Sequence, residues 1–112
     1  MKTIKVSELT GAALDWAVAK AEGRNVVYHD GSVNWPYLVG YSPSTDWAQG
    51  GPIIAREMLD VFCYGNGSVW DASTGDRHPN EIRSGLTPLI AAMRCYVASK
   101  LGDSVEIPEE LL

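Results

Sequence analysis

Polar and apolar positions alternate over Lys2-Thr3-Ile4-Lys5-Val6, which predicts a short strand with Ile4 and Val6 facing a core. Ser7 or Thr10 is placed to cap a following helix. Leu14, Ala17, Val18 and Ala21 then recur at the spacing of one helical face, with Asp15 and Glu22 directed away from it. Gly23 is the expected stop. Asn25 to His29 carries Val26, Val27 and Tyr28 and predicts a strand ending at an Asp30-Gly31 turn. Further on, Pro52 can open a short helix through Ile53, Ile54 and Met58. The alternation of Leu59, Val61 and Cys63 with Asp60, Phe62 and Tyr64 predicts a strand, with Gly65-Asn66-Gly67 as the hairpin turn and Val69 to Ala72 returning. Ser73 to Gly85 is polar, holds Gly75, Pro79 and Gly85, and reads as a surface loop. The last helix has the strongest punctuation: Thr87 as cap, Pro88 in the first turn, Lys100 in the last turn and Gly102 beyond it. Arg94 is the only charge between Leu89 and Ala98, so this helix is expected to be buried on most sides. Short strands mixed with two main helices, without βαβ alternation, predict an α+β fold with a small antiparallel sheet and helices on one face.

One segment has no period at all. WPYLVGYSPSTDWAQGGPII, residues 35 to 54, combines two tryptophans, two tyrosines and a Gly-Gly-Pro breaker. Loops of that length are uncommon in compact domains unless they bind something or are disordered, and disordered segments lack aromatics. An ordered, aromatic-lined loop is expected, and it is the natural seat of function.

Composition narrows the classes. A chain of 112 residues with 46% hydrophobic and 21% charged residues is one soluble globular domain over 1–112. No apolar run approaches membrane-span length and Met1-Lys2-Thr3 does not begin a signal peptide, so no membrane partner and a cytoplasmic location are expected. Cys63 and Cys95 are then expected to be reduced, buried and inert. The net charge of −5 and the lack of a basic stripe argue against duplex nucleic acid, while leaving small anionic ligands open. Glu106, Glu109 and Glu110 read as a solvated end.

Candidate chemistry is sparse. His29-Asp30 and Asp76-Arg77-His78 pair imidazole with carboxylate in expected turns, without metal-ligand spacing. No catalytic residue, metal site or cofactor is expected. Arg94 in a buried helix needs a partner: either an acid such as Asp46, Asp60 or Asp71, or an anionic ligand gripped by its planar fork. Trp16 is a core residue by its place on the first helix, and Trp70 is ambiguous. Trp35 and Trp47 either pack the loop on itself or offer stacking faces to a planar ligand. Gly50-Gly51 ahead of Pro52 is either a plain turn or a set of free amides at a helix start facing phosphate.

Three blocks carry a resemblance: VSELTGAALDWAVAKAEG at 6–23, YSPSTDWAQGGPII at 41–54 and TPLIAAMRCYVASKLGD at 87–103. In this order they resemble the NinX-like family, small accessory proteins of tailed phages and enterobacterial prophages. Val61 to Gly85 is the part that departs from it. The resemblance implies action inside an infected or lysogenic cell and a role dispensable for the virion. It assigns no catalytic or binding residues. Small phage proteins in such a setting often blunt host defence, by binding a host protein or sequestering a nucleotide signal.

The resulting expectation is a non-enzymatic binding module, possible as a homo-oligomer, that captures a small anionic or nucleotide-type ligand. Trp35, Tyr41 or Trp47 would stack on the base, and Gly50 and Gly51 would meet phosphate. Arg56 or Arg94 would supply charge, with Ser44, Thr45 and Asp46 completing the set. An adaptor for a host protein is the alternative, and a nucleotide-acting enzyme the third reading.

Overall fold

The computed structural model describes residues 1–24, 40–63, 67–75 and 82–112, and the backbone at 28–29 and 32–33. The fold is α+β, as the hydrophobic pattern predicts. Strand β1 (Lys2–Lys5) runs into a 3-10 turn at Val6–Glu8, then α1 (Gly11–Ala21). The short strands β2 (Tyr28–His29) and β3 (Ser32–Val33) pair antiparallel. Helix α2 (Trp47–Glu57) precedes β4 (Asp60–Cys63), β5 (Trp70–Ser73) and β6 (Arg83–Gly85). Helix α3 (Pro88–Leu101), β7 (Ser104–Ile107) and a 3-10 turn at Glu109–Leu111 complete the chain.

Helix α3 is the centre of the molecule. It packs on α1, α2, both edges of the three-stranded sheet β4-β5-β6, and β7. Its ends are those its sequence encodes. The Thr87 hydroxyl accepts from the Ile90 amide at 3.1 Å, Pro88 sits in the first turn, and the Gly102 amide closes on Ala98 at 3.0 Å. Leu89, Met93, Tyr96 and Val97 are buried together with Ala91, Ala92 and Cys95, so the helix is covered nearly all round. Strand β6 can lie close on it because Gly85 has no side chain: a Cβ there would meet the Ala91 nitrogen at 2.7 Å.

Several expectations are corrected. The acidic finish is solvated as expected, with Glu106, Glu109 and Glu110 all exposed, but it also holds an unexpected strand. Ser104–Ile107 pairs antiparallel with β1, Lys2 opposite Ile107, burying Val105 and Ile107 while Glu106 stays exposed. The polar stretch 73–85 does not stay a loop throughout, since Arg83–Gly85 adds a third strand beside β5. Cys63 is exposed at the end of β4, whereas Cys95 is buried as expected. Asp15 does not face solvent: residues 13–19 of α1 are buried all round, Asp15 among them. Thr10 occupies the cap position of α1 without a side-chain cap bond, and Gly23, at φ 78°, ends the helix as expected. Trp16 is in the core.

Helix α2 also starts earlier than Pro52. Asp46 caps it, its carboxylate accepting from the Ala48 amide at 2.9 Å. Trp47, Gly50 and Gly51 therefore belong to a helix, and the aperiodic segment is shorter than expected. Pro52 lies inside the helix, tolerated because the Ala48 carbonyl that loses its partner belongs to an exposed residue. Met58, in the left-handed region at φ 52°, ends the helix.

Candidate functional site

A tight, bonded turn at residues 41–46 positions the most exposed tryptophan of the described chain. The Ser42 carbonyl accepts from the Thr45 and Asp46 amides at 3.1 and 2.9 Å. Gln49 locks the turn from the helix: its Oε1 accepts from the Ser42 amide at 2.8 Å, and its Nε2 donates to the Gly40 carbonyl at 2.7 Å and Asp46 at 3.0 Å. From α1, Asp15 Oδ1 accepts the buried Ser44 amide at 2.9 Å. Burial raises the pKa of this carboxyl, and the Ser44 hydroxyl and amide pull it back. The Ser44 hydroxyl makes no bond of good geometry, yet its position beside the carboxylate favours the charged form.

Trp47 is the first residue after this turn and stands 57% exposed. It lines a cleft of about 230 Å³ with Ser44, Thr45 and residues 87–90 at the start of α3. No described residue of that lining is charged.

A second cleft, of about 320 Å³, opens on the other flank of α2. Nine residues along a helix turn a side chain by about 180°, so Arg56 points away from Trp47. Arg24 stacks over the Tyr41 ring at 4.3 Å from its centroid, and Glu22, Gln49 and Arg56 complete the rim. Arg56 is engaged: it donates to Glu22 and Glu57 at 2.9 Å each and to the Tyr96 hydroxyl at 3.2 Å. Burial and the acceptor Glu22, 3.1 Å away, push the Tyr96 phenol up to about 12, and burial raises Tyr41 as well. Glu22, expected in solvent, thus ties α1 to α2 and α3.

Arg94 lies elsewhere, in a groove of about 400 Å³ with Ser7, Val69 and residues 82–86. The expected ion pair is replaced by two carbonyls: Nε donates to Leu9 at 2.9 Å and Nη1 to Ser84 at 2.8 Å. Asp46 caps α2, and Asp71 accepts from the Ser84 hydroxyl across the sheet. Burial lowers the Arg94 pKa, but a guanidinium stays charged.

The residues singled out from the sequence are thus dispersed. Ser44, Thr45 and Trp47 share one cleft, Tyr41 and Arg56 another, and Arg94 a third. The Gly50 amide is consumed by the Asp46 carbonyl at 2.9 Å, and its α-carbon is packed against Pro43 and Leu89, so it offers nothing to a phosphate. Trp35, Asp30, the His29 side chain and Asp76 to His78 lie outside the described residues. Sequence reasoning missed Asp15. Its signal was the apolar run from Ala12 to Ala19 that it alone interrupts.

The family model described as Bacteriophage P22, NinX matches residues 5–100. The chain belongs to the NinX family. The match spans α1, α2, the 41–46 turn and every described residue lining the three clefts, and it leaves out β7. No curated protein matches the chain. Membership in the NinX family makes this a phage accessory protein. Among the described residues, no helix is long and apolar enough to cross a membrane, and no cluster of His, Cys, Asp or Glu could hold a metal ion.

Proposed function

We propose that this NinX-family chain is a non-enzymatic adaptor that acts inside the infected cell by seating a host protein on Trp47 and its cleft. The observation that carries the reading is a large ring 57% exposed on a rigid turn beside an uncharged cavity. Tryptophan is the residue most enriched among interface hot spots, and a pre-set turn lowers the ordering cost of binding. The cleft volume of about 230 Å³ falls below the roughly 300–1,000 Å³ of pockets that enclose a whole small ligand. It suits one side chain of a partner. Its described lining also carries no charge to counter a phosphate.

Affinity purification from infected cells tests this. The wild-type chain should retain a stoichiometric host protein, and Trp47→Ala should lose it. The same variant should melt close to wild type, at a cost of about 1 kcal/mol or less, against roughly 3–5 kcal/mol for truncating a buried aromatic. A retained partner in Trp47→Ala, or none with the wild type, would overturn the adaptor reading.

The nucleotide-type ligand is the second reading, favoured by the Arg24–Tyr41 stack beside Arg56. Calorimetry against mono-, di- and cyclic nucleotides addresses it, with Tyr41→Ala as control. Native mass spectrometry of the purified protein reports homo-oligomer and carried ligand together.

A further inference from the structure

The groove at Arg94 and the Trp47 cleft are lined by consecutive residues, Leu86 in one and Thr87 in the other, and by Arg94 and Ile90 one turn apart on α3. Arg94 spends its Nε–H and one Nη1–H on the Leu9 and Ser84 carbonyls, which leaves three of the five N–H donors of a guanidinium. No acid is among the described residues lining the groove. Its other cation, Arg83, is paired with Asp103. The lining also offers apolar side chains: Leu86 is 77% and Val69 46% exposed, and Ile82 joins them. A guanidinium with no carboxylate partner among the described residues, beside the apolar Val69, Ile82 and Leu86, is complementary to one carboxylate flanked by apolar side chains, which its planar fork can hold through two parallel bonds. A phosphate dianion would find only half its charge matched.

We propose that the Arg94 groove receives an acidic side chain, set between apolar neighbours, from the same partner protein that Trp47 anchors. The inference deepens the adaptor reading and rests on it. Together the two clefts form one docking face, with Trp47 as apolar anchor and Arg94 selecting for a carboxylate.

The test is an NMR titration of the 15N-labelled chain, following the Arg94 Nε–H and the backbone amides of Ser84, Gly85 and Leu86. The probes are acetyl-Leu-Glu-Leu-amide, its Gln counterpart and sodium phosphate. The glutamate peptide should give saturable shifts at these groups, and the glutamine peptide should bind roughly tenfold more weakly, the loss expected for a hydrogen bond to a charged group. Arg94→Gln should remove the preference for glutamate, whereas Arg94→Lys, which keeps the charge but loses the fork, should only weaken it. Because Arg94 also holds two backbone carbonyls, Leu86→Asp, on an exposed side chain, is the second variant: it should abolish the shifts and leave the melt unchanged. Equal shifts from both peptides, no shifts, or phosphate matching the glutamate peptide would overturn the proposal. Purification separates it from the adaptor reading. A host partner lost with Trp47→Ala but kept with Leu86→Asp overturns the groove alone, whereas loss with both variants supports the joint face.

Discussion

Gly50→Ala should destabilise the protein by about 1–3 kcal/mol, the usual cost of forcing a methyl into a filled site, while Gly51→Ala should stabilise it by about 0.5–1 kcal/mol. The two glycines are adjacent in one helix, yet their surroundings are opposite. A Cβ on Gly50 would run into the Pro43 carbonyl oxygen and lie 2.6 Å from Leu89 Cδ2. Leu89 can swing aside, but the Pro43 carbonyl belongs to the bonded turn that precedes Trp47 and cannot. On Gly51 the nearest foreign atom would be Trp47 Cε3 at 4.0 Å, so alanine only removes the entropy cost of a helical glycine. Urea denaturation of the two variants checks the pair. Equal effects at both positions would mean that α2 does not approach the 43 turn as described. Loss of partner retention in Gly50→Ala at temperatures where it remains folded would further tie that approach to the Trp47 cleft.

Asp15→Ala should cost about 1–3 kcal/mol, because it strips the buried Ser44 amide of its acceptor. Asp15→Asn keeps an oxygen in that place and should recover most of the loss. The two variants also separate the charge from the bond. Burial raises the Asp15 pKa above its ordinary 3.8, so the folded state binds this proton more tightly than the unfolded chain does. The associated stability is fully present below pH 3.8 and is lost as pH rises through the elevated native value. Relative to wild type, Asp15→Asn should therefore gain stability as pH climbs through that window and level off once the native carboxyl is ionised. Denaturation midpoints of both proteins across the acid range measure it. A difference that is flat with pH would show the carboxyl to be as solvated in the native state as in the unfolded one.

The binding proposed at Trp47 and the stability contributed by Asp15 and Gly50 meet at the same six-residue turn. Asp15 holds it from α1, Gln49 holds it from α2, and Gly50 lets it approach α2 and α3 closely. Rigid support beneath an exposed anchor reduces the ordering cost of association, which is why these three residues belong to the candidate site without touching a partner.

What the sequence determined by itself is local. Thr87, Pro88 and Gly102 set the bounds of α3, Gly23 ends α1, and Ile4 with Val6 shows the inward side of the first strand, because caps, ring constraints and side-chain periodicity act within a few residues. The three blocks also carried the family. The Gly50-Gly51-Pro52 breaker placed the start of α2 at Pro52, and the cap bond of Asp46 with the packing of Gly50 on Pro43 and Leu89 shows why the helix runs through it. The tertiary structure alone decided what joins distant residues. The pairing of Lys2–Lys5 with Ser104–Ile107 is a contact between the two ends of the chain, and strand periodicity does not name its partner. Asp15, Glu22 and Arg94 each read as an isolated charge along the chain, and each has a partner 29 residues or more away, in Ser44, Arg56 and Leu9 respectively. Likewise, a helix turn sets Trp47 and Arg56 on opposite flanks of α2, so residues close in sequence became two sites in space, because direction around a helix, not proximity along it, decides what a side chain can reach.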